Sequence, residues 1–361
     1  MTGRPDDADA WTVGLAAGHR QPAAAIRRLV EALLDQHPGH SYGGAIDLGA
    51  FGRWLTALAD AGETSAEITG VAEAVRGRML PLDRSGLPTG TLVADTCGTG
   101  GDGSGSFNIS TAAAIVVAAA GQPVAKHGNR AVSSRTGSAD VLAALDVRID
   151  ATPAVAARCL REIGICFCLA PAHHPALAAV GPLRKSLGRP TVFNLVGPLC
   201  NPAGADVQVI GVARPAAQEP LAEAARALGA RRTLVVSAAA HDEGSLDEVS
   251  LFGPTAVIDV GPHGMRRFQW TPEAFGLATR PAGEAAALVV ADALESAAAI
   301  RGVLAGEHGP RREVVVLNAA AVLWAAGRAA DEPSARRQAE AAIDTGAAAA
   351  ILGRLVAGSA G

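Results

Sequence analysis

What the 361-residue chain lacks narrows its function first. It has no basic surplus: 31 lysines and arginines face 35 acidic residues, a formal net charge of −4. That balance argues against a general nucleic-acid binder, which carries a basic patch or stripe. Its five cysteines (Cys97, Cys159, Cys166, Cys168 and Cys200) are odd in number and form no pair of CxxC motifs, so no zinc site is expected from them. Cys166 and Cys168 alternate in an apolar, strand-like run and share one face, which reads as buried thiols in a reducing cytoplasm. No apolar run is long enough and suitably flanked to span a bilayer. The polar, acidic start MTGRPDDADAWT has no apolar signal core. A Walker A loop, the dinucleotide fingerprint, a Ser-His-Asp arrangement and paired catalytic carboxylates are all missing.

What is present concentrates between Asp95 and Asp140. A glycine-rich turn, GTGGDG at Gly98–Gly103, runs into Asn108-Ile-Ser-Thr111, then an alanine and valine run, then Lys126-His-Gly-Asn-Arg130. Glycines let backbone N–H groups close around an anion. A helix opening at Ser110-Thr111 would aim its positive end at the same anion. Lys126 and Arg130 add full charges. Together these features predict a site for a phosphorylated ligand, in particular a diphosphate.

Hydrophobic spacing divides the chain. Residues 1–20 read as a frayed extension. From 21 to about 88 the signals are helical: Ile26, Leu29, Val30 and Leu33 recur at helix spacing, as do Phe51, Trp54, Leu55 and Leu58, and Thr64 with Glu67 forms a capping-box pattern. From 89 onward short strands alternate with helices, predicting an α/β fold with a mostly parallel central sheet flanked by helices. Strands are expected at 92–95, 123–126, 165–169, 207–212, 233–237 and 256–260. Helices are expected at 112–120, 139–145, 217–228, 288–304 and 313–326. The His- and Pro-rich stretch around 172–197 is expected to pack back on the N-terminal helices. The division is then a small helical domain of 21–88 plus about 172–197, and an α/β domain of 89–171 and 198–361.

Each candidate residue has a bland reading beside the functional one. Asp102 is either a turn residue bonding its own backbone or an acceptor for ligand hydroxyls. Ser110 is an N-cap, a Mg²⁺ ligand or both. Asp247-Glu248 taken alone is a solvated acidic loop. Placed after a parallel strand and beside a diphosphate, the same pair suits Mg²⁺, which takes one or two carboxylates plus substrate oxygens. His127 either orients an aromatic or carboxylate ligand or satisfies a loop carbonyl. Arg184 is a surface residue or the partner of a second anion.

These motifs resemble those of the anthranilate phosphoribosyltransferase family. The matching pieces include Ala61-Gly-Glu-Thr64, GTGGDG, Phe107–Thr111, Lys126–Ser134, Gly137–Leu142, Ala170-Pro171, His174-Pro-Ala176, Phe193-Asn194, Gly197–Leu199, Asn201-Pro202 and Leu246–Ser250. The resemblance covers about residues 24–357. It implies a helical domain beside an α/β domain with the active site between them, and a homodimer formed through the helical domain. It also implies transfer of the phosphoribosyl group of 5-phosphoribosyl 1-diphosphate to the amine of anthranilate, in tryptophan biosynthesis. It places the phosphoribosyl diphosphate on Gly98, Gly101, Asp102, Ser106, Asn108, Ser110, Thr111, Lys126 and Ser138. Anthranilate falls on Gly98, His127, Asn129 and Arg184, and Mg²⁺ on Ser110, Asp247 and Glu248. No dedicated general base is assigned: positioning, Mg²⁺ and backbone donors supply the catalysis.

Three positions depart from the family pattern: Pro190 stands where an arginine is usual, Asp146 where glycine is usual, and Arg135-Thr136 where Lys-Ser is commoner. Pro190 keeps open an enzyme of the same fold that uses another aromatic acceptor. A pyrimidine nucleoside phosphorylase and a non-catalytic nucleic-acid-binding relative also stay open. Thymidine or uridine phosphorolysis would single out the former, and salt-sensitive nucleic-acid binding without catalysis the latter.

Overall fold

Val- and Ile-rich runs, each followed by an amphipathic or alanine-rich helix, build the sheet that carries the site. The computed structural model describes residues 8–36, 46–131, 135–239 and 245–361. Residues 1–7 of the expected extension, Val132–Ser134 of the basic motif and Gly244 before the acidic pair lie outside them. The strands are β1 (Ala94–Gly98), β2 (Val124–Gly128), β3 (Ile165–Leu169), β4 (Val207–Gly211), β5 (Arg232–Ala239), β6 (Ser245–Leu246), β7 (Thr255–Gly261) and β8 (Gly264–Trp270). Their order is β3-β2-β1-β4-β5-β7-β8, with β6 on β5. The first five strands are parallel; β6, β7 and β8 pair antiparallel. The chain leaves β1 toward β2 and later returns to β1's other side as β4. Loops at the carboxyl ends of β1 and β4 therefore diverge and leave a crevice, the place where open α/β sheets bind ligands.

The helical half begins with α1 (Ala8–Ala16), α2 (Ala23–Leu34), α3 (Leu48–Ala61) and α4 (Ser65–Arg76). The capping box forms as its pattern suggests: Glu67 N–H donates to Thr64 Oγ1 at 3.4 Å, and Thr64 N–H to Glu67 Oε2 at 2.8 Å. The expectation of a frayed extension fails over Ala8–Ala16. That stretch is a helix that buries Trp11 and Leu15, with Trp11 edge-on to Trp54 at a centroid distance of 6.0 Å. Burial of a large ring outweighs the polar composition around it.

Two apolar cores sit on opposite faces of the sheet. One is shared by α1–α4, Val180, Phe193, Leu195 and the Ile210–Val235–Ile258 face. The other packs α5 (Ile109–Ala119) and helix Pro310–Ala325 against Val93, Val207 and Leu234. Several expected boundaries shift. The helix expected at 288–304 begins at Ala293, after a 3-10 turn over Ala282–Leu288. Helix Pro153–Ile163 and strand β8 were not anticipated. Asp146, where the family has glycine, is the one non-glycine described residue with positive φ, 69°, a backbone region that aspartate tolerates better than most residues.

Candidate active site

Three parallel strands end in glycine at the crevice, and two of those ends are in register: Gly98 of β1 pairs with Gly211 of β4. A side chain at Gly98 would overlap the Asp247 carboxylate, and one at Gly211 would overlap the Asp247 backbone. A side chain at Gly128, the end of β2, would overlap the Ser138 hydroxyl. The strand ends thus clear space for the acidic segment and for the turn that opens the next helix. Beyond Gly98 the chain turns through Gly100, Gly101, Gly103 and Gly105, with φ of 72°, 82°, 72° and 65°, a run of left-handed positions that favours glycine.

The acidic pair is not a solvated loop. Asp247 is buried and Glu248 half-buried. Asp247 Oδ2 accepts the Gly100 N–H at 2.7 Å, and Glu248 Oε1 accepts the Ser110 N–H at 3.1 Å. Glu248 therefore satisfies a free N–H in the first turn of α5. That helix opens at Ile109, ahead of the start expected between 110 and 112, with Asn108 in the N-cap position, so Ser110 is not its N-cap. Lys126 Nζ donates to the Thr96 carbonyl at 2.8 Å and to Ser110 Oγ at 3.4 Å. Asp102 accepts the Ser104 N–H at 3.1 Å, as a turn residue would. Burial, and then the neighbouring Asp102, push the Asp247 carboxyl up to about 7. Burial and Asp247 raise Glu248 as well. This crowding of carboxyls against one lysine is the environment a bound cation would relieve, so the donor set of Ser110, Asp247 and Glu248 fits Mg²⁺. Among the described residues no three His, Cys, Asp or Glu form a ready metal cage.

A cavity of about 190 Å³ opens beside Gly98. Gly98, His127, Asn129 and Arg184, the four residues expected to meet an acceptor, all line it, joined by His174, Phe193, Asn194 and Gly197. Its other walls include Val75, Leu177 and Cys200, a mostly apolar surface suited to an aromatic ring. Arg184 lies over the Phe193 ring at 5.5 Å and donates to Asn194 Oδ1 at 3.4 Å. No carboxylate among the described residues pairs with it, and burial lowers its pKa. His127 Nδ1 sits 3.2 Å from the Gly197 carbonyl. That oxygen can only accept, so Nδ1 carries the proton and Nε2 is an acceptor. Nε2 is buried with no hydrogen-bond partner among the described residues, and the buried His174 ring lies 5.0 Å away. Burial pushes His127 down to about 3, with His174 adding to the effect, and burial pushes His174 down to about 4. Both rings are neutral near pH 7.

The remaining expected contacts fall around the glycine turn. Ser106 pairs with Val289, and its N–H donates to Ser104 Oγ at 3.2 Å. The Thr111 hydroxyl is buried with no partner among the described residues, and Ser138 opens the helix Ser138–Ala144. Arg130 is exposed and pairs with Asp140 at 3.4 Å. Arg135 instead covers Gly105 and donates to the Val290 carbonyl at 2.9 Å. His174 also lines the cavity, although nothing in the sequence assigned it a role beyond the matching piece His174-Pro-Ala176. A second ring five residues past β3 is visible only once the sheet brings it to His127.

The chain matches known proteins over this same framework. The family model described as glycosyl transferase family, a/b domain, covers residues 90–349. An anthranilate phosphoribosyltransferase of Azorhizobium caulinodans is 49% identical over 304 residues, which is 84% of this chain and 85% of that protein. One of Roseiflexus is 48% identical over 309 residues, 85% of this chain and 87% of that protein. The solved anthranilate phosphoribosyltransferase of Thermus thermophilus superposes with a TM-score of 0.83 at 39% identity, covering 98% of this chain and 100% of that one. The Saccharomyces cerevisiae enzyme, in complex with PRPP and Mg, gives 0.83 at 26% identity, covering 97% of each. The chain is a member of the glycosyl transferase family with an a/b domain, matched over residues 90–349. Within that class, the chain belongs to the anthranilate phosphoribosyltransferase family.

Proposed function

We propose that this chain transfers the phosphoribosyl group of 5-phosphoribosyl 1-diphosphate to the amine of anthranilate, releasing diphosphate, as a step of tryptophan biosynthesis. The observation that carries the reading is the shared residue Gly98: it ends β1 at the glycine turn and also lines the cavity of Arg184 and the two neutral imidazoles. A donor held by the turn and an acceptor held in the cavity would meet there.

The roles follow from the chemistry of each group. Gly98, Gly101, Asp102, Ser106, Asn108, Ser110, Thr111, Lys126 and Ser138 would hold the donor, with backbone N–H groups and Lys126 facing its phosphates. Arg184 would pair with the anthranilate carboxylate, and Asn129 with His127 would fix the ring and amine. A neutral aromatic amine is already nucleophilic, and the unprotonated Nε2 of His127 can accept a hydrogen bond from it. Orientation and removal of water then supply much of the rate. Ser110, Asp247 and Glu248 would hold Mg²⁺, which when bound neutralises charge building on the diphosphate. A homodimer formed through the helical half belongs to the same reading, and sedimentation of the purified chain tests it. Among the described residues no single helix is long and apolar enough to cross a membrane; a cytoplasmic setting remains part of the proposal.

The direct test follows anthranilate fluorescence after adding phosphoribosyl diphosphate and Mg²⁺, with the Asp247→Ala/Glu248→Ala variant as control. Loss of signal with the wild type alone is the expected result. An unchanged signal with folded wild-type protein would sink the anthranilate reading, and a panel of other aromatic amines would then identify the acceptor.

A further inference from the structure

The segment after the 3-10 turn Ala282–Leu288 carries no motif, yet it braces the glycine turn. The Phe107 N–H donates to the Leu288 carbonyl at 2.8 Å, and the Val290 N–H to the Gly105 carbonyl at 3.0 Å. One turn further on, Ser296 is fully buried in helix Ala293–Leu304 and reaches Asn108. Its Oγ accepts the Asn108 backbone N–H at 3.0 Å and donates to Asn108 Oδ1 at 2.8 Å. The N–H fills an acceptor position of the hydroxyl, so the single hydroxyl proton is available for the amide oxygen. Thr136 Oγ1 donates to the same Oδ1 at 2.6 Å.

An asparagine at a helix start ordinarily turns its side-chain oxygen onto the first free N–H groups. Asn108 precedes α5 but makes no such cap. Its oxygen is held by two hydroxyls instead, and its NH₂ has no partner among the described residues. The amide is therefore held in one orientation, with its donors left for something else.

We propose that Ser296 is a positioning residue for the donor substrate: it fixes the Asn108 amide with its NH₂ toward the phosphates of 5-phosphoribosyl 1-diphosphate. The inference rests on the reading above that Asn108 contacts that substrate. A helix 188 residues away in sequence thereby sets donor affinity.

The test uses the full-length enzyme with Mg²⁺. Ser296→Ala raises the KM for phosphoribosyl diphosphate roughly tenfold, the loss expected for one oriented hydrogen bond to a charged group. The KM for anthranilate changes by less than about twofold. Calorimetric titration with inorganic diphosphate and Mg²⁺ weakens in parallel with the donor KM. Thermal unfolding monitors the fold; should the alanine variant not fold, Ser296→Cys, close in shape with a weaker donor, shows the same donor-selective rise in smaller degree. In an Asn108→Ala background, Ser296→Ala adds nothing further to the donor KM. An unchanged donor KM in Ser296→Ala, or an undiminished effect in the Asn108→Ala background, overturns the inference. If Asn108→Ala itself leaves the donor KM unchanged, the reading of Asn108 as a donor contact falls and takes the inference with it. If Asn108→Ala raises it and Ser296→Ala does not, only the inference falls.

Discussion

The Asp247 carboxylate stands where a side chain on Gly98 would have to go. It is held there by the Gly100 N–H at 2.7 Å, so the glycine turn and the acidic segment fix each other. Gly98 lies in the strand itself, and its need for glycine comes from this close approach rather than from a special φ. Gly98→Ala therefore displaces Asp247 and the glycine turn together. We expect at least a ~100-fold loss of kcat/KM from misplaced groups. The accompanying cost in stability is about 1–3 kcal/mol for overpacking. Initial rates and urea denaturation check the two separately, and an alanine variant with near-native activity would remove the close approach from the mechanism.

Arg184 faces the cavity with no carboxylate beside it among the described residues, although burial works against its charge. An anionic ligand is the natural counterpart. In Arg184→Ala the KM for anthranilate should rise roughly 10–100-fold, the worth of a charge-assisted pair. The KM for phosphoribosyl diphosphate should move by less than about twofold. Arg184→Lys keeps the charge but not the planar fork, and should recover only part of the loss. Equal changes in both KM values would place Arg184 outside the acceptor's immediate contacts.

Much of this site was legible in the sequence because its parts are contiguous. The glycine turn, Asn108–Thr111 and Lys126–Asn129 each sit on one strand-to-helix connection or strand end, and their order alone predicted that they converge. Capping at Thr64 was legible for the same reason: its partner is three residues away. What was hidden depends on long-range packing. Ser296 has no neighbouring signal; it matters because helix Ala293–Leu304 crosses beside α5. His174 acquires its place only when the chain after β3 folds back over β2. Arg130 shows the limit of reading charge alone: it is exposed and pairs with Asp140, at the next helix start. The acidic pair is the intermediate case: composition favoured solvent, and only β6 returning against β5 buries it.

The N-terminal helix α1 carries the largest correction, and its contribution can be measured. Trp11 is buried against Trp54, which in turn packs on Phe51 with centroids 5.2 Å apart. Trp11→Ala should destabilise the protein by about 3–5 kcal/mol, the range for removing a buried aromatic side chain. A frayed extension would instead give a change within about 0.5 kcal/mol. Chemical denaturation with tryptophan fluorescence distinguishes the two.

The facing imidazoles give stability a specific pH dependence. His127 and His174 titrate at about 3 and about 4 in the folded chain, against 6.5 for an ordinary histidine. Burial favours the neutral form of both rings; His174, His173 and Lys126 add to the effect on His127, and His173 adds to it on His174. Because the folded values are depressed, the unfolded chain binds more protons as the medium is acidified. The contribution is complete above about 6.5 and is lost as pH falls, through both rings down to about 4 and through His127 alone toward about 3. Each ring adds a slope of ~1.4 kcal/mol per pH unit within its window. Urea denaturation at pH 7 and pH 5 should show the wild type losing more stability than the His127→Gln/His174→Gln variant by about 2–4 kcal/mol. The double variant removes both titrations while the carboxylates elsewhere remain, so the difference isolates the pair. Equal losses in the two proteins would mean that the rings titrate in the folded state as they do in the unfolded chain. In that case the KM for anthranilate would show a histidine inflection near pH 6.5, which neutral buried rings do not give.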